Sequence, residues 1–528
     1  MRELTGRSII AGQRSRVPDS TFTGFDPHTG RPRSVRFAEA SRLDIDAAVN
    51  AAEEAFGALR SAAPEDLAHL LETIAKKTED IAGDLIETAD SETALGTERL
   101  GGECARTCAQ LRLFATVLRR GDYLEPVIDH ASLESKPPRP DLRRMQAPIG
   151  PVAVFGASNF PFAFSVLGGD VASALAAGCP VLVKAHPAHP ATSELSASAV
   201  VDALQECALP AGAFSLLQGE SETVGETLVT RPAIQAVGFT GSLRGGRSLY
   251  DLATRRPEPI PFYAEMGSLN PVIVTRGVLD DRLEEFARGF VTSMTLSGGQ
   301  FCTKPGVLIA PMERSEALLT KLRSLLERTR VTPMLSERVR SGLAEQVVRT
   351  LEARGVDEVA RVSSVGTAGF TTDLVLVTTD DRSFQQTSAL MDEHFGAFAV
   401  VVTYESEAGL LSTATRLRGS LTAALHCLPD EIETLRPLEA ILVRKAGRLI
   451  WNGFPTGVAV TDAMVHGGPF PATTFAEHTS VGSFAIRRWL RPICFQAYPD
   501  ALLPTALKAA NPLGLRRLVN GVWTSNPA

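Results

Sequence analysis

The chain of 528 residues is 44% hydrophobic and 21% charged, too apolar for a disordered protein and long enough for roughly two to four domains. A formal net charge of -7 argues against a nucleic-acid binder, which needs a basic face, and the arginine pairs at 143–144, 255–256 and 487–488 read as solvated surface. Seven cysteines, an odd number spread over a long chain, do not make a disulfide framework.

Residues 1–16 carry an apolar run of only three, Ile9 to Ala11, too short for the core of a signal peptide. Ile45, Val49, Ala52, Phe56 and Leu59 share one face of a helix predicted over 43–60. A second amphipathic helix follows Pro64, carrying Leu67, Leu71, Ile74, Ile81 and Leu85, and helices continue through 113–118. Cys104 and Cys108 lie four apart in that pattern with no second ligand pair nearby, so they read as free thiols. Pro126, Pro137, Pro138, Pro140 and Pro148 then mark an extended, helix-poor stretch.

From Ile149 the rhythm changes. Strands at 151–155, 181–183, 214–217 and 234–239 alternate with helices at 165–177, 193–206 and 222–229. The nearly charge-free segment 160–183 is broken by Gly168, Gly169, Gly178 and Pro180, so it reads as a buried helix and strand rather than a membrane span. A soluble, cytoplasmic protein without a membrane or nucleic-acid partner is therefore expected. A second alternation follows, with strands at 271–274 and 307–309 around a helix at 283–296. Such βαβ units indicate two doubly wound α/β domains.

Three peptides carry chemistry. In 297–306, S-G-G-Q-F-C-T-K-P-G, glycines precede Cys302 and a Pro-Gly turn follows, which exposes a thiol with little crowding. Such a thiol is a strong nucleophile once a base or a positive environment ionises it. In 263–271, Glu265 ends a strand; an acid in an apolar setting there either has a raised pKa and serves as general base, or satisfies turn amides. In 156–161, Asn159 follows a buried strand, where its amide either donates to a developing oxyanion or stabilises the turn. His186 and His189 form an H-x-x-H without an acidic partner, and no metal site is expected. Residues 241–248, G-S-L-R-G-G-R-S, are one residue away from a phosphate-binding P-loop, with Arg247 at the lysine position. A nucleotide-hydrolase reading leaves the Cys, Glu and Asn peptides unexplained.

Together these peptides resemble the aldehyde dehydrogenase superfamily over residues 20–499. The motifs run in order as S-N-F-P (158–161), V-K-A-H-P (183–187), F-T-G-S-x-x-x-G (239–246), A-E-M-G-S-L-N-P (264–271), G-Q-F-C-T-K-P-G (299–306), M-D-E-H-F-G-A-F (391–398) and W-N-G-F-P-T-G (451–457). The resemblance implies an aldehyde dehydrogenase-like α/β fold with a Rossmann-like cofactor domain (1–123 and 148–264) and a catalytic domain (265–465). An oligomerisation arm (124–147 and 466–528) would complete a homodimer or homotetramer. It makes Cys302 the nucleophile, Asn159 with the Cys302 N–H the oxyanion hole, and Glu265 the base for the hydrolytic water, with accepting the thiol proton as a further role open to it. It assigns Lys184 to the adenosine ribose, Gly241, Ser242 and Gly246 to the pyrophosphate, Glu393 to the nicotinamide ribose, and Phe395 to packing beside it.

Relatives that prefer NAD carry an acid three residues after the lysine. Pro187 stands there, which with Lys184 and His186 tilts the expectation to NADP, with NAD as the alternative. The peptides 183–190, 264–271, 451–458 and 466–472 look like the branch of α-ketoglutaric semialdehyde (2,5-dioxovalerate) dehydrogenases and bacterial NADP-dependent fatty aldehyde dehydrogenases. Phe160, Phe164, Phe301 and Phe454 are expected to line an apolar tunnel suited to a long chain. A dicarboxylic semialdehyde needs an Arg or Lys at the pocket, and none can be placed from the sequence. Lys304, two residues after the nucleophile, either lowers the thiol pKa or points to solvent, and the second is expected. Three alternatives remain: a medium- or long-chain fatty aldehyde dehydrogenase, a catalytically inactive nucleotide-binding homologue, and a CoA-acylating enzyme, against which Glu265 speaks.

Overall fold

The structure is a computed structural model describing residues 3–16, 20–366 and 368–528; the first two residues of the N-terminal segment read above lie outside it. Its first sheet holds β1 (Ile9–Ile10), β2 (Gln13–Arg14), β3 (Val152–Phe155), β4 (Val181–Lys184), β5 (Phe214–Leu217), β6 (Ala236–Thr240) and β7 (Phe262–Glu265). The order is β7-β6-β3-β4-β5-β1-β2, with β3 to β7 parallel and the short β1 antiparallel to β5. The runs Val-Ala-Val-Phe and Val-Leu-Val do not alternate because helices cover both faces. From β3 the chain moves outward to β4 and β5, then returns to β6 on the other side of β3. That reversal opens a crevice at the carboxyl ends of β3 and β6.

Helices α1 (Arg42–Leu59), α2 (Pro64–Asp80), α3 (Ala82–Thr93) and α4 (Thr97–Arg120) come first in the chain. Ser41 and Asp44 form a reciprocal capping box that starts α1, and Pro64 opens α2 at a position where no amide hydrogen is needed. The buried face of α4 contains Leu100, Cys104, Cys108, Leu111 and Phe114, but also the carboxylate of Glu103.

The second sheet contains β8 (Val272–Val274), β9 (Val307–Pro311), β10 (Asp357–Val362), β11 (Leu374–Asp380), β12 (Phe398–Tyr404), β13 (Ser420–His426) and β14 (Ala446–Trp451). Its order is β10-β11-β12-β9-β8-β13-β14, parallel except for β10 at the edge. Separate apolar clusters cover its two faces. A third sheet joins Leu490–Gln496, Leu142–Pro148, Val127–Asp129, Arg517–Val519 and Val522–Thr524 in that order, so the proline-rich stretch is indeed extended.

Helix boundaries differ from expectation in several places: the helix read from Pro64 to Leu85 is divided at Ile81 into α2 and α3, and the one expected at 193–206 begins at Pro190. The helix expected at 165–177 is Gly169–Ala176, because Gly168 lies against the 163–164 backbone, where a Cβ would come within 2.6 Å of the Ala163 oxygen. The helix expected at 283–296 begins seven residues earlier, as Arg276–Thr295, with a non-helical Arg282 (φ -140°, ψ 43°) that breaks the apolar period. Among the described residues, no helix is long and apolar enough to cross a membrane.

Candidate active site

The approach to Cys302 is built by three successive left-handed residues, Ser297, Gly298 and Gly299. At Gly299 (φ +73°) a Cβ would stand 2.3 Å from the carbonyl carbon of Gly396, so only glycine lets this turn press against the 393–396 loop. Asn270 then fastens the cysteine loop: its Nδ2 donates to the carbonyl oxygens of Cys302 (2.8 Å) and Lys304 (3.0 Å). Nearby, Asn159 Nδ2 donates to the Gln300 oxygen at 3.0 Å, which brings this buried amide beside the thiol's own turn.

Glu265 arrives from the end of β7. Between it and Cys302 stands a residue to which the sequence reading gave no role, His466. Its Nε2 is 3.5 Å from Cys302 Sγ and 3.0 Å from Glu265 Oε2. Ser480 Oγ donates to the same carboxylate oxygen at 3.3 Å, while the buried Glu265 Oε1 has no protein partner. Burial pushes the Cys302 thiol well above its ordinary range, and the neighbouring Glu265 charge adds to this. The expectation of a raised Glu265 pKa is corrected: burial does push it up, but the His466 charge and the hydrogen bonds to His466, Cys302 and Ser480 outweigh burial and hold it below its usual value.

Lys304 is also corrected. It is only 3% exposed rather than turned to solvent, and its Nζ donates to the Phe398 oxygen at 2.8 Å. Burial pushes it down to about 8, opposed by Glu393. Burial pushes Glu393 up to about 7, opposed by Lys304.

The remaining residues singled out above fall into two groups. At the crevice of the first sheet, Lys184 ends β4 and donates to the Gly219 oxygen, and burial pushes its pKa down to about 8. The His186 Nδ1 accepts from the Ala188 N–H at 3.1 Å, which leaves Nε2 as its donor, and burial with nearby His189, Lys184 and Arg338 keeps the ring neutral. Arg338, an exposed residue not singled out before, contributes positive charge near both Lys184 and His186. Gly241 and Ser242 lead into α5 (Leu243–Thr254), with the Ser242 hydroxyl capping the Gly245 N–H. A Cβ on Gly246 would lie 2.7 Å from Met266, and one on Gly267 would lie 3.2 Å from Glu393 Oε2, so glycines allow both close approaches. Phe395 packs with Leu100, Phe162 and Leu335. The P-loop rival loses its cation, because Arg247 pairs with Asp251 on the surface.

The second group lies beside Cys302. Phe160 meets Phe164 and Phe301 edge-on, at 5.4 and 5.3 Å between centroids. Phe454 does not join them; it stacks among Phe286, Phe290 and His426. Instead of a wholly apolar tunnel, two arginines of α4 enter this group. The Arg99 guanidinium lies over Phe301 (4.6 Å) and Phe160 (5.0 Å), and Arg106 lies over Phe164 (5.5 Å). Arg99 Nη2 donates to the Asn159 oxygen at 2.7 Å. Glu103, between them in sequence, accepts from the Phe162 and Ala163 N–H groups at 2.9 Å each, which fixes the loop after Asn159. The signal for these arginines was present but unread: charges at i, i+4 and i+7 on the apolar face of a helix.

Comparison with known proteins gives a consistent result. The sequence model of the aldehyde dehydrogenase family matches residues 16–469. The chain is 42% identical over 536 residues to the α-ketoglutaric semialdehyde dehydrogenase of Acinetobacter baylyi, covering 100% of both chains. It is 43% identical to α-ketoglutaric semialdehyde dehydrogenase 2 of Azospirillum brasilense, covering 98% of this chain and 99% of that one. Among solved structures, a betaine aldehyde dehydrogenase from Staphylococcus aureus matches with a TM-score of 0.80 at 19% identity, covering 94% and 97% of the two chains. A 1-pyrroline-5-carboxylate dehydrogenase matches with a TM-score of 0.79 at 21% identity, covering 93% and 92%.

Proposed function

The chain belongs to the aldehyde dehydrogenase family, NAD(P)-dependent oxidoreductases that convert an aldehyde to a carboxylic acid, and from that premise we propose that it oxidises α-ketoglutaric semialdehyde to 2-oxoglutarate through a thioester on Cys302. The observation that carries the mechanism is the line Cys302–His466–Glu265 with the Asn159 amide beside it.

The buried thiol is a poor nucleophile until it loses its proton. The neutral imidazole of His466 accepts that proton at Nε2, 3.5 Å from Sγ, and the Nε2–H so formed then donates to Glu265 Oε2 at 3.0 Å, whose charge stabilises the cation. The thiolate attacks the aldehyde carbon to give a thiohemiacetal. One Asn159 amide hydrogen is committed to Gln300, and the other, with the Cys302 N–H, receives the oxyanion. One such donor contributes about 2.7–4 kcal/mol in the transition state. When bound, NAD(P) supplies the hydride acceptor. Glu265, held ionised by its neighbours, then uses its unpartnered Oε1 to take a proton from the water that releases the acid.

The residues present fit such a cofactor. Lys184, His186 and the α5 N-terminus with Gly241, Ser242 and Gly246 line the sheet's crevice, and Glu393 and Phe395 stand on the catalytic side. Support for NADP over NAD comes from Pro187, which removes the usual acid, and from the charge of Arg338 near Lys184 and His186, set against the carboxylates of Glu39 and Glu220 that also act on Lys184. The exposed Val522 and Trp523 on the edge of the third sheet support pairing of that arm in a homodimer or homotetramer. The three phenylalanines at 160, 164 and 301 favour a second reading, a fatty aldehyde substrate, but the arginines over their faces weigh against it.

The test is a panel of α-ketoglutaric semialdehyde and medium-chain aldehydes with NAD and NADP, followed by absorbance of the reduced cofactor. Turnover of α-ketoglutaric semialdehyde with NADP at the highest kcat/KM is expected. A preference for decanal over every carboxylated aldehyde would assign the enzyme to fatty aldehydes instead.

A further inference from the structure

We propose that Arg106 and Arg99 form the carboxylate-binding subsite of this enzyme, with the Nε–Nη2 edge of Arg106 gripping the substrate carboxylate side-on and Arg99 Nη1 supplying a further donor. The substrate class is then a short aldehyde bearing a carboxylate at its far end, with or without an adjoining keto group. The inference rests on the aldehyde-oxidising reading given above and identifies what selects the aldehyde.

Three guanidinium donors near Cys302 are unused. Arg106 Nε and Nη2 are both buried and have no protein partner, as is Arg99 Nη1. Nε–H and Nη2–H lie on the same edge of a guanidinium and match the two oxygens of a carboxylate. A buried donor left unmade costs roughly 1–3 kcal/mol, more when charged, so the fold holds these groups ready for something not in the protein. The aromatic faces of Phe160, Phe164 and Phe301 orient the guanidiniums without consuming hydrogen bonds. The position is also right: both arginines interact electrostatically with Cys302, and Phe301 and Phe160 adjoin Cys302 and Asn159 in sequence.

Charge bookkeeping agrees. Two guanidiniums face one carboxylate, Glu103, whose Oε1 is occupied by two amides and whose pKa burial pushes up. At least one positive charge therefore remains for a ligand. Arg448 also interacts electrostatically with Cys302 and its buried Nε has no protein partner, but both Nη groups donate to the carbonyl oxygens of Pro455 and Gly457, so it offers no free Nε–Nη2 edge. It is not part of the subsite.

The experiment has a binding arm and a kinetic arm. Calorimetry measures glutarate and its uncharged diamide on wild type, R106Q and R106K, with thermal melts to check folding. Wild type is expected to bind glutarate and not the diamide; R106Q should lose roughly 10–100-fold in affinity, and R106K should recover only part because it lacks the fork. In the kinetic arm, the ratio of kcat/KM for glutaric semialdehyde to that for pentanal should fall by a similar factor in R106Q, mainly through KM. Equal binding of glutarate and its diamide by the wild type overturns the subsite, even if R106Q fails to fold. A wild type that binds glutarate but oxidises neither aldehyde would instead overturn the catalytic reading and leave the subsite standing.

Discussion

Nε2 of His466 lies 3.0 Å from Oε2 of Glu265, and the two side chains are only 1% and 6% exposed. A buried carboxylate below its ordinary pKa is possible only because that imidazole, with Cys302 and Ser480, outweighs the penalty of burial. Replacing His466 by Asn therefore acts twice. It removes the acceptor for the Cys302 proton, and it leaves Glu265 buried without its main counter-charge. Turnover should fall on the order of 10²–10⁴-fold, and Glu265 should titrate above its ordinary value. The rate of Cys302 alkylation by iodoacetamide at pH 7 should fall in parallel with kcat. An unchanged alkylation rate would assign His466 to holding Glu265 alone.

Glu265→Gln separates acylation from hydrolysis. The carboxylate raises the Cys302 pKa by its charge but supports the protonated His466, so the two effects of its neutral amide on the thiol oppose one another and the burst is the readout. The water-activating base is lost at the same time. Rapid-mixing traces should show a burst of reduced cofactor approaching one per active site, followed by a steady rate reduced by about 10²–10⁴-fold. Equal losses of burst and steady rate would move Glu265 from the hydrolytic step to thiol activation.

The parts legible in the sequence are those whose signal is local. The strand at 214–217 and the helix at 222–229 emerge with their predicted limits because polar and glycine residues punctuate them. The Cys302 turn is legible because Gly298 and Gly299 are needed at positive φ within the same peptide. His466 is different: it meets Cys302 across 164 positions of sequence, and nothing in its own surroundings announces a base. Lys304 reads as surface until β12, 94 residues away, supplies the Phe398 oxygen that holds it inside. Arg99 and Arg106 were hidden by the assumption that charges on a helix face water.

Placed against the nicotinamide ribose as proposed, Glu393 would make cofactor affinity depend on pH, with Lys304 setting the range. Glu393 titrates at about 7, and its ionised form is the better acceptor for ribose hydroxyls, so reduced-cofactor affinity should tighten as pH rises through 7. Lys304 opposes the upward shift, so removing its charge must raise the Glu393 pKa further. In Lys304→Met the affinity rise should move to higher pH, measured by fluorescence titration between pH 5.5 and about 9. A profile that stays where it was would show that Glu393 does not set it.

Pro187 and Arg338 offer the last test, of cofactor choice. A carboxylate introduced as Pro187→Glu would stand where relatives that prefer NAD place one, repelling a 2′-phosphate and accepting from a 2′-hydroxyl. Its effect should be a loss of roughly 10–100-fold in kcat/KM for NADP with a smaller change, or a gain, for NAD. Arg338 adds positive charge on the same side of Lys184 while pairing only loosely with Glu222, at 3.5 Å between two exposed groups. Arg338→Ala should therefore weaken NADP several-fold more than NAD, and added salt should shrink that difference because the side chain is solvated. Equal losses for the two cofactors in both variants would mean that the pocket accepts either, and that neither Pro187 nor Arg338 discriminates between them.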